Sequence, residues 1–357
     1  MPIGTNGIHI DRQVHTLSNC TVGNCGASGI IYAAPNGRMS GLFVGITEDG
    51  VAAPNGEHGL DIQPTAVNTT LRDSTVGNSG EDGIKSSVPN MTLFNLFVGL
   101  TSAGAAAPNG NAGISLEAPA SNVVLTNITT GNNNAHGILT DAVNTSVIDS
   151  FVGLTADGTP APNGNGIVAY LNARGLQARG CTVGNSDSAL SYGVGIFAIS
   201  HGSRITDCYV GVTKDGIAAR NSNFGIFDES QTGGGLGHSI FANLTIGFSK
   251  GGIHFNGPHT TIRNVFIGSN AAGSPMPVNE SGLRSTQHAA NASVSNVTVG
   301  NCGQNGISID GPYSVISNVL VGATVDGSPA PVGMAEPSFN PDTGIILLAR
   351  PDRKSVV

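Results

Sequence analysis

Tryptophan is absent from this 357-residue chain, and aromatic residues of every kind make up 5% of it. A large core built on aromatic packing is thereby excluded. Charge is scarce too: Asp, Glu, Lys and Arg together are 11% of the residues, less than half the ~25% usual in a soluble domain. Low charge combined with 39% apolar residues excludes a disordered chain, which needs high charge and low hydrophobicity. A net charge of −8 argues against nucleic acid or an anionic membrane as partner. No run of about 18 apolar residues occurs, so no membrane-spanning helix is predicted. The five cysteines, Cys20, Cys25, Cys181, Cys208 and Cys302, are odd in number and show no CxxC or metal spacing. They read as buried free thiols that pack as small hydrophobes. Met1 is followed at once by repeat material, with no leader pattern.

What the sequence does have is glycine, 52 residues of it, placed periodically. An aliphatic residue followed by Gly recurs from Val22-Gly23 through Val44-Gly45, Val76-Gly77 and Val98-Gly99 to Val321-Gly322. The steps from Gly23 to Gly45, Gly77 and Gly99 are 22, 32 and 22 residues, so short and long units alternate in a double repeat of about 54. A second marker, Gly followed by an aliphatic, comes after each first one, as at Gly29-Ile30, Gly59-Leu60, Gly83-Ile84 and Gly113-Ile114. The extra ten residues of the long unit form one recurring insertion, Thr47 to Gly56, which returns at Thr101 to Gly110 and Thr155 to Gly164. Its Asp-Gly and Pro-Asn-Gly sequences are turn formers. Each long unit is therefore predicted to carry a surface loop.

The units are strand and not helix. Ser293 to Val299 alternates with period two, and no segment offers ten helix formers free of Gly and Asn. Asn or Asp stands four residues before the marker Gly in ten of twelve units, including Asp73, Asn95, Asn127, Asn243 and Asn296. Asn also recurs nine residues before it, at Asn36, Asn68, Asn90, Asn122, Asn144 and Asn291. Asn tolerates the left-handed backbone of tight turns, and stacked turns let amides bond from coil to coil. The predicted fold is all-β: a right-handed parallel β-helix solenoid of about twelve coils, one domain over residues 1–357, with Ile30, Leu60, Ile84 and Ile114 in one interior column and Val22, Val44, Val76 and Val98 in another. At ~4.8 Å per coil the rod is roughly 58 Å long. Solenoid ends need caps. Neither terminus reads as one, so the chain is expected to be part of a longer repeat protein whose further coils it would contact.

On these repeats and Asn columns the chain resembles the parallel β-helix proteins of the pectin-lyase-like superfamily, over nearly its whole length. That resemblance implies the fold and raises the question of polysaccharide chemistry. The polygalacturonase set of Asn-Thr-Asp, Asp-Asp, Ser-His-Gly and Arg-Ile-Lys is present only as Ser200-His201-Gly202, and Arg204-Ile205-Thr206 departs from the last motif. Inverting hydrolysis needs two positioned carboxylates, so an isolated Ser-His-Gly reads as a turn. The alginate epimerase motif Asp-Pro-His-Asp is also missing. Asp49, Asp157, Asp215 and Asp326 invite a calcium reading. Loops two coils apart, roughly 10 Å, cannot share an ion that needs oxygens at about 2.5 Å, so no metal or other cofactor is expected. Nine N-glycosylation sequons occur, most of them within the Asn columns, where they arise without implying secretion.

Regularity is lowest between about residues 185 and 290, where Gln231 to His238 inserts a Gly-rich loop. Counting outward positions from the Gly-aliphatic marker places Glu229, His254, Arg284 and Asp310 on successive coils of one face, flanked by Phe197 and Phe227. These six form the candidate glycan-binding face, weighed against an ordinary solvated surface. Two functions follow: a non-catalytic extracellular or surface repeat protein acting as spacer or glycan-binding scaffold, with polysaccharide as partner, or a carbohydrate-active lyase, hydrolase or epimerase working on an acidic polysaccharide.

Overall fold

The computed structural model describes residues 5–11, 16–230 and 237–333 and the strand Ile345–Leu347. The Gly-rich stretch 231–236 lies outside the described residues, as do the ends whose capping was in question. All the named strand pairings are parallel, and the chain is a right-handed parallel β-helix.

The first sheet has thirteen strands, most of them short, one per coil, from Ile8–Ile10 to Ile345–Leu347. Its register is set by the Gly-aliphatic marker. Ile30 pairs with Leu60, Leu60 with Ile84, Ile84 with Ile114 and Ile114 with Ile138, and every one of them is buried. The Gly of the marker is there because backbones meet: a Cβ on Gly83 would lie 2.7 Å from the carbonyl oxygen of Gly113 and 2.8 Å from Val98 Cγ1.

The second sheet is built from longer strands such as Thr92–Val98 and Val124–Thr130. Each is bent at its centre by an Asn in the left-handed region, φ 53° at both Asn95 and Asn127. Elsewhere the same stretch divides in two, as at Ser146–Ile148 and Phe151–Val152. The predicted amide ladders run along these bends. Asn95 Nδ2 donates to Asp73 Oδ1 at 2.8 Å, and Asn127 Nδ2 donates to Asn95 Oδ1 at 3.0 Å. A second ladder links Asn36, Asn68, Asn90, Asn122 and Asn144 at 3.1–3.4 Å, again with positive φ. Farther along that column, His238 and His259 take the left-handed position and stack ring on ring, centroids 4.8 Å apart.

The ten-residue insertion is only half a surface loop. Its first part is a tight hairpin: Ile46 bridges Ala52 antiparallel, and the same bridge closes Leu100 to Ala106 and Leu154 to Pro160. Its Pro-Asn-Gly, expected at the surface, instead turns back inside. Asn55, Asn109 and Asn163 are buried, and the last two join Asn133 in an interior ladder: Asn109 Nδ2 donates to Asn133 Oδ1 at 2.8 Å, and Asn133 Nδ2 to Asn163 Oδ1 at 2.9 Å. Inside the rod their Oδ1 atoms accept from backbone N–H groups of the preceding coil that water cannot reach, Asn55 from Cys25, Asn109 from Ser79 and Asn163 from Asn133. The hairpin aspartates close their own turns. Asp157 accepts from the Thr155 hydroxyl and from Thr159 N–H, and Asp326 accepts from Thr324 and Ser328. These bonds, the side-chain ones first, hold both carboxyls below the usual range. All five cysteines are free thiols, Cys20 half-buried and the rest buried. Among the described residues no helix is long and apolar enough to cross a membrane.

The inward column that holds Ile62, Leu116 and Phe255 also admits the small polar Ser86, Thr140 and Ser285, and at one described coil it carries a carboxylate. Asp228 is fully buried where neighbouring coils place Ala198 and Phe255. Burial pushes its carboxyl up to about 6, against the hydrogen bond from Ser230 N–H that pulls it down.

Two stability predictions follow from this geometry. In the ladder, Asn95→Ala and Asn95→Gly delete the same amide bonds, but only alanine is forced into left-handed backbone. The glycine variant should be the more stable by roughly 0.5–1 kcal/mol in urea unfolding, the ~1–2 kcal/mol left-handed penalty of alanine less the ~0.5–1 kcal/mol entropic cost of glycine; equal stability would show that backbone strain does not select this column. For Asp228, the folded chain keeps a proton that the unfolded chain releases near pH 3.8, so stability is lost as pH rises from about 4 to about 6 and is level above that. Asp228→Asn should remove that decline, worth up to about 3 kcal/mol; parallel melting-temperature profiles for the variant and the parent between pH 4 and pH 7 would reject the assignment.

Candidate functional site

Side chains one residue after the buried aliphatic of the first sheet point outward. Their register runs Val168 to Phe197, Phe197 to Phe227, Phe227 to His254, and His254 to Arg284. Such a face is normally polar. Here it carries a second apolar cluster, separate from the core, in which Val168, Val194 and Phe197 are buried and Leu139, Ile199, Phe224 and Phe227 are partly buried.

The rings in that cluster are ordered. Phe197 stacks on Phe227 with centroids 5.2 Å apart and planes at 26°, and Phe224 stacks on Phe227 at 5.2 Å and 20°. His254 packs its ring against Phe227 at 4.8 Å and against Phe224 at 5.3 Å. The turn after Ser186 is held by Asp187, whose Oδ1 accepts from Ala189 N–H. That turn brings Tyr192 edge-on to Phe197 at 5.9 Å, leaving the tyrosine 65% exposed. Tyr170 and Leu171, one coil earlier, are exposed as well.

The sequence-derived face is thus partly assembled and partly divided. Phe227, His254 and Arg284 share one column. Glu229 and Asp310 lie on the same outer side but two residues farther along their strands, in the column of Asn256 and Thr286; the chain alternates inward and outward, so positions one and three after the marker face the same way in different rows. Phe197 is 8% exposed: it is the support beneath Tyr192 and Phe227 and not itself an open shelf. Burial, then the neighbouring Arg284, lower the His254 imidazole to about 4, so the ring is neutral at physiological pH beside a guanidinium. His201 of the Ser-His-Gly turn is half-buried, and its backbone carbonyl accepts from Gly175 N–H. That turn contact fits the structural reading of the motif.

The N-terminal half of the same sheet holds a polar cluster that counting from the marker did not find. His58 is buried, with Nε2 3.2 Å from Glu81 Oε2 and Nδ1 accepting from Asp82 N–H at 3.3 Å. Asp82, also buried, lies with Oδ2 3.7 Å from His58 Nδ1 and takes hydrogen bonds on Oδ1 from Asn111 Nδ2 at 2.8 Å and Ala112 N–H at 3.0 Å. Burial raises its carboxyl despite those bonds and the imidazole. Lys85 is 3.3 Å from Glu117; burial draws its ammonium down, and Glu117 more than reverses this, so it stays charged. The signal was in the sequence: His58 and Asp82 both stand immediately before a marker Gly, at Gly59 and Gly83, and so fall in one column. Among the described residues no group of three or more His, Cys, Asp or Glu is arranged to hold a metal ion.

No family model matches the chain, and no curated protein matches it in sequence. Among solved structures it is similar to the Dettilon tailspike protein, at 10% identity and a TM-score of 0.48 over 92% of this chain and 62% of that one. It is similar also to DFA-IIIase from Arthrobacter chlorophenolicus A6, at 10% identity and 0.45 over 89% and 79%. A third is the A-module of the mannuronan C-5 epimerase of Azotobacter vinelandii, at 12% identity and 0.34 over 97% and 79%. The chain thus spans less than two thirds of the tailspike's own length. In architecture it is a right-handed parallel β-helix.

Proposed function

We propose that the protein is a surface or extracellular scaffold that binds a saccharide chain along the outer side of its first sheet. The observation that carries this reading is the ordered aromatic platform of Tyr192, Phe197, Phe224, Phe227 and His254 on a face that would otherwise be polar. Aromatic faces offer rigid apolar area to the C–H side of a sugar ring at small entropic cost. Arg284, the neutral His254 and Glu229 stand around the platform to donate to and accept from hydroxyls. A rod of stacked coils suits an extended ligand, since equivalent outward positions recur every ~4.8 Å.

A catalytic reading has one observation in its favour, the His58–Glu81–Asp82 cluster. It sets a carboxyl that burial keeps protonated beyond its usual range close to a second, exposed carboxylate. Unequal carboxyls in one site are the arrangement used for general acid–base hydrolysis.

Calorimetric titration with pectate, alginate, chitosan and neutral glucan oligosaccharides tests the first reading. Tyr192→Ala, at an exposed position, should weaken binding of the preferred saccharide about five- to tenfold, and Arg284→Ala should weaken it at least as much. No binding by the folded protein, or affinity untouched by both changes, would remove the platform from consideration. In the same mixtures, unsaturated-sugar absorbance and new reducing ends report turnover. Product that vanishes with Asp82→Asn would establish the enzyme, whereas binding without product keeps the scaffold.

A further inference from the structure

The second sheet bears a cavity of about 500 Å³ on its outer side, lined among others by Arg179, Arg204, Arg263, Thr206 and Ala242. Register explains its shape. Arg179 pairs with Thr206, Thr206 with Ala242 and Ala242 with Arg263, so one outward column runs arginine, small, small, arginine. Two short side chains leave a dip about 14 Å long between the arginine backbones, at ~4.8 Å per coil. Arg204, paired with Gln177 and Ile240, enters from the adjacent column.

The charge there is unusual for this molecule. The whole chain has 15 Lys and Arg against 23 Asp and Glu, yet three arginines line one cavity. Among the described residues the one arginine ion-paired to a carboxylate is Arg72, with Asp73 at 2.8 Å. The single carboxylate at the cavity, Asp207, is already engaged in the amide ladder, accepting from Asn243 Nδ2 at 2.8 Å. Three permanently charged guanidiniums around a common space repel one another, and planar guanidinium forks match the oxygens of carboxylate and phosphate.

We propose that this cavity is a binding site for a small organic polyanion, a molecule carrying two or more carboxylate or phosphate groups. It is distinct from the saccharide face, which belongs to the other sheet. At least two oxyanions are required to neutralise arginines at the two ends of the dip together, so a monovalent anion gains little.

The test is calorimetric titration of the intact protein at low salt with citrate, pyrophosphate and acetate. Citrate or pyrophosphate should bind at least tenfold more tightly than acetate, and the affinity should fall as sodium chloride is raised. Preference for citrate would mark a carboxylate ligand, and preference for pyrophosphate a phosphorylated one. Arg204→Gln and the double change Arg179→Gln with Arg263→Gln should each weaken binding at least tenfold. Arg38→Gln, exposed on the same sheet but outside the cavity, should leave it unchanged. All these side chains are exposed, so unaltered melting temperatures will separate lost binding from lost folding. Polyanion affinity no better than that of acetate, or affinity unmoved by the cavity arginines, would overturn the proposal.

Discussion

Each coil of this rod is stacked on the next at strand-pairing distance, so a side chain inside or at a turn has its own counterparts above and below as nearest neighbours. A residue is therefore suited to a column before it is suited to a coil. Ile and Leu recur inward because each must cover the previous one. Gly recurs at the marker because a Cβ at Gly83 or Gly59 would drive into the adjacent backbone. Asn recurs at the bends because it accepts left-handed backbone and its amide then reaches the next amide. The scarcity of charge has the same origin: an ionised side chain repeated down a column would face its own sign every few ångströms.

Outward columns of the first sheet escape that constraint, and their chemistry changes along the rod. Asp61 and Lys85 give way to Leu139 and Val168, these to Phe197 and Phe227, and these to His254 and Arg284. The inner and turn columns carry ionisable groups in the same coils. Asp228 replaces an apolar residue, and His238 and His259 replace ladder amides. A departure in one coil costs its two neighbours as well, so a cluster of departures marks coils kept for something other than stability.

The columns are legible in the sequence because their period is short and repeated a dozen times; Ile30 through Ile138 and the ladder at Asn36 through Asn144 both follow from the repeat alone. What the sequence concealed was direction. Pro-Asn-Gly has the same turn chemistry whether the Asn faces water or, as at Asn109, seals the interior. Counting from a marker separates inward from outward but does not distinguish one row from the next, which is why Glu229 and Asp310 parted from His254 and Arg284. The cluster of His58 and Asp82 was missed because those residues precede the marker instead of following it. The arginine cavity depends on Thr206 and Ala242, whose contribution is their smallness, and smallness leaves little trace in a chain this rich in short side chains.

Asp228 shows what such a departure costs. Its side chain points into the rod from the strand that carries Phe227 outward, where neighbouring coils place Ala198 and Phe255. Its Oδ1 accepts from Ser230 N–H at 2.9 Å, but among the described residues Oδ2 and the hydroxyls of Ser230 and Ser239 are enclosed with no hydrogen-bond partner. A buried polar group left unpaired costs about 1–3 kcal/mol, and burial pushes the carboxyl up to about 6. The strand that presents the aromatic platform outward is thus held at a cost in the interior that a packed aliphatic at this position would avoid.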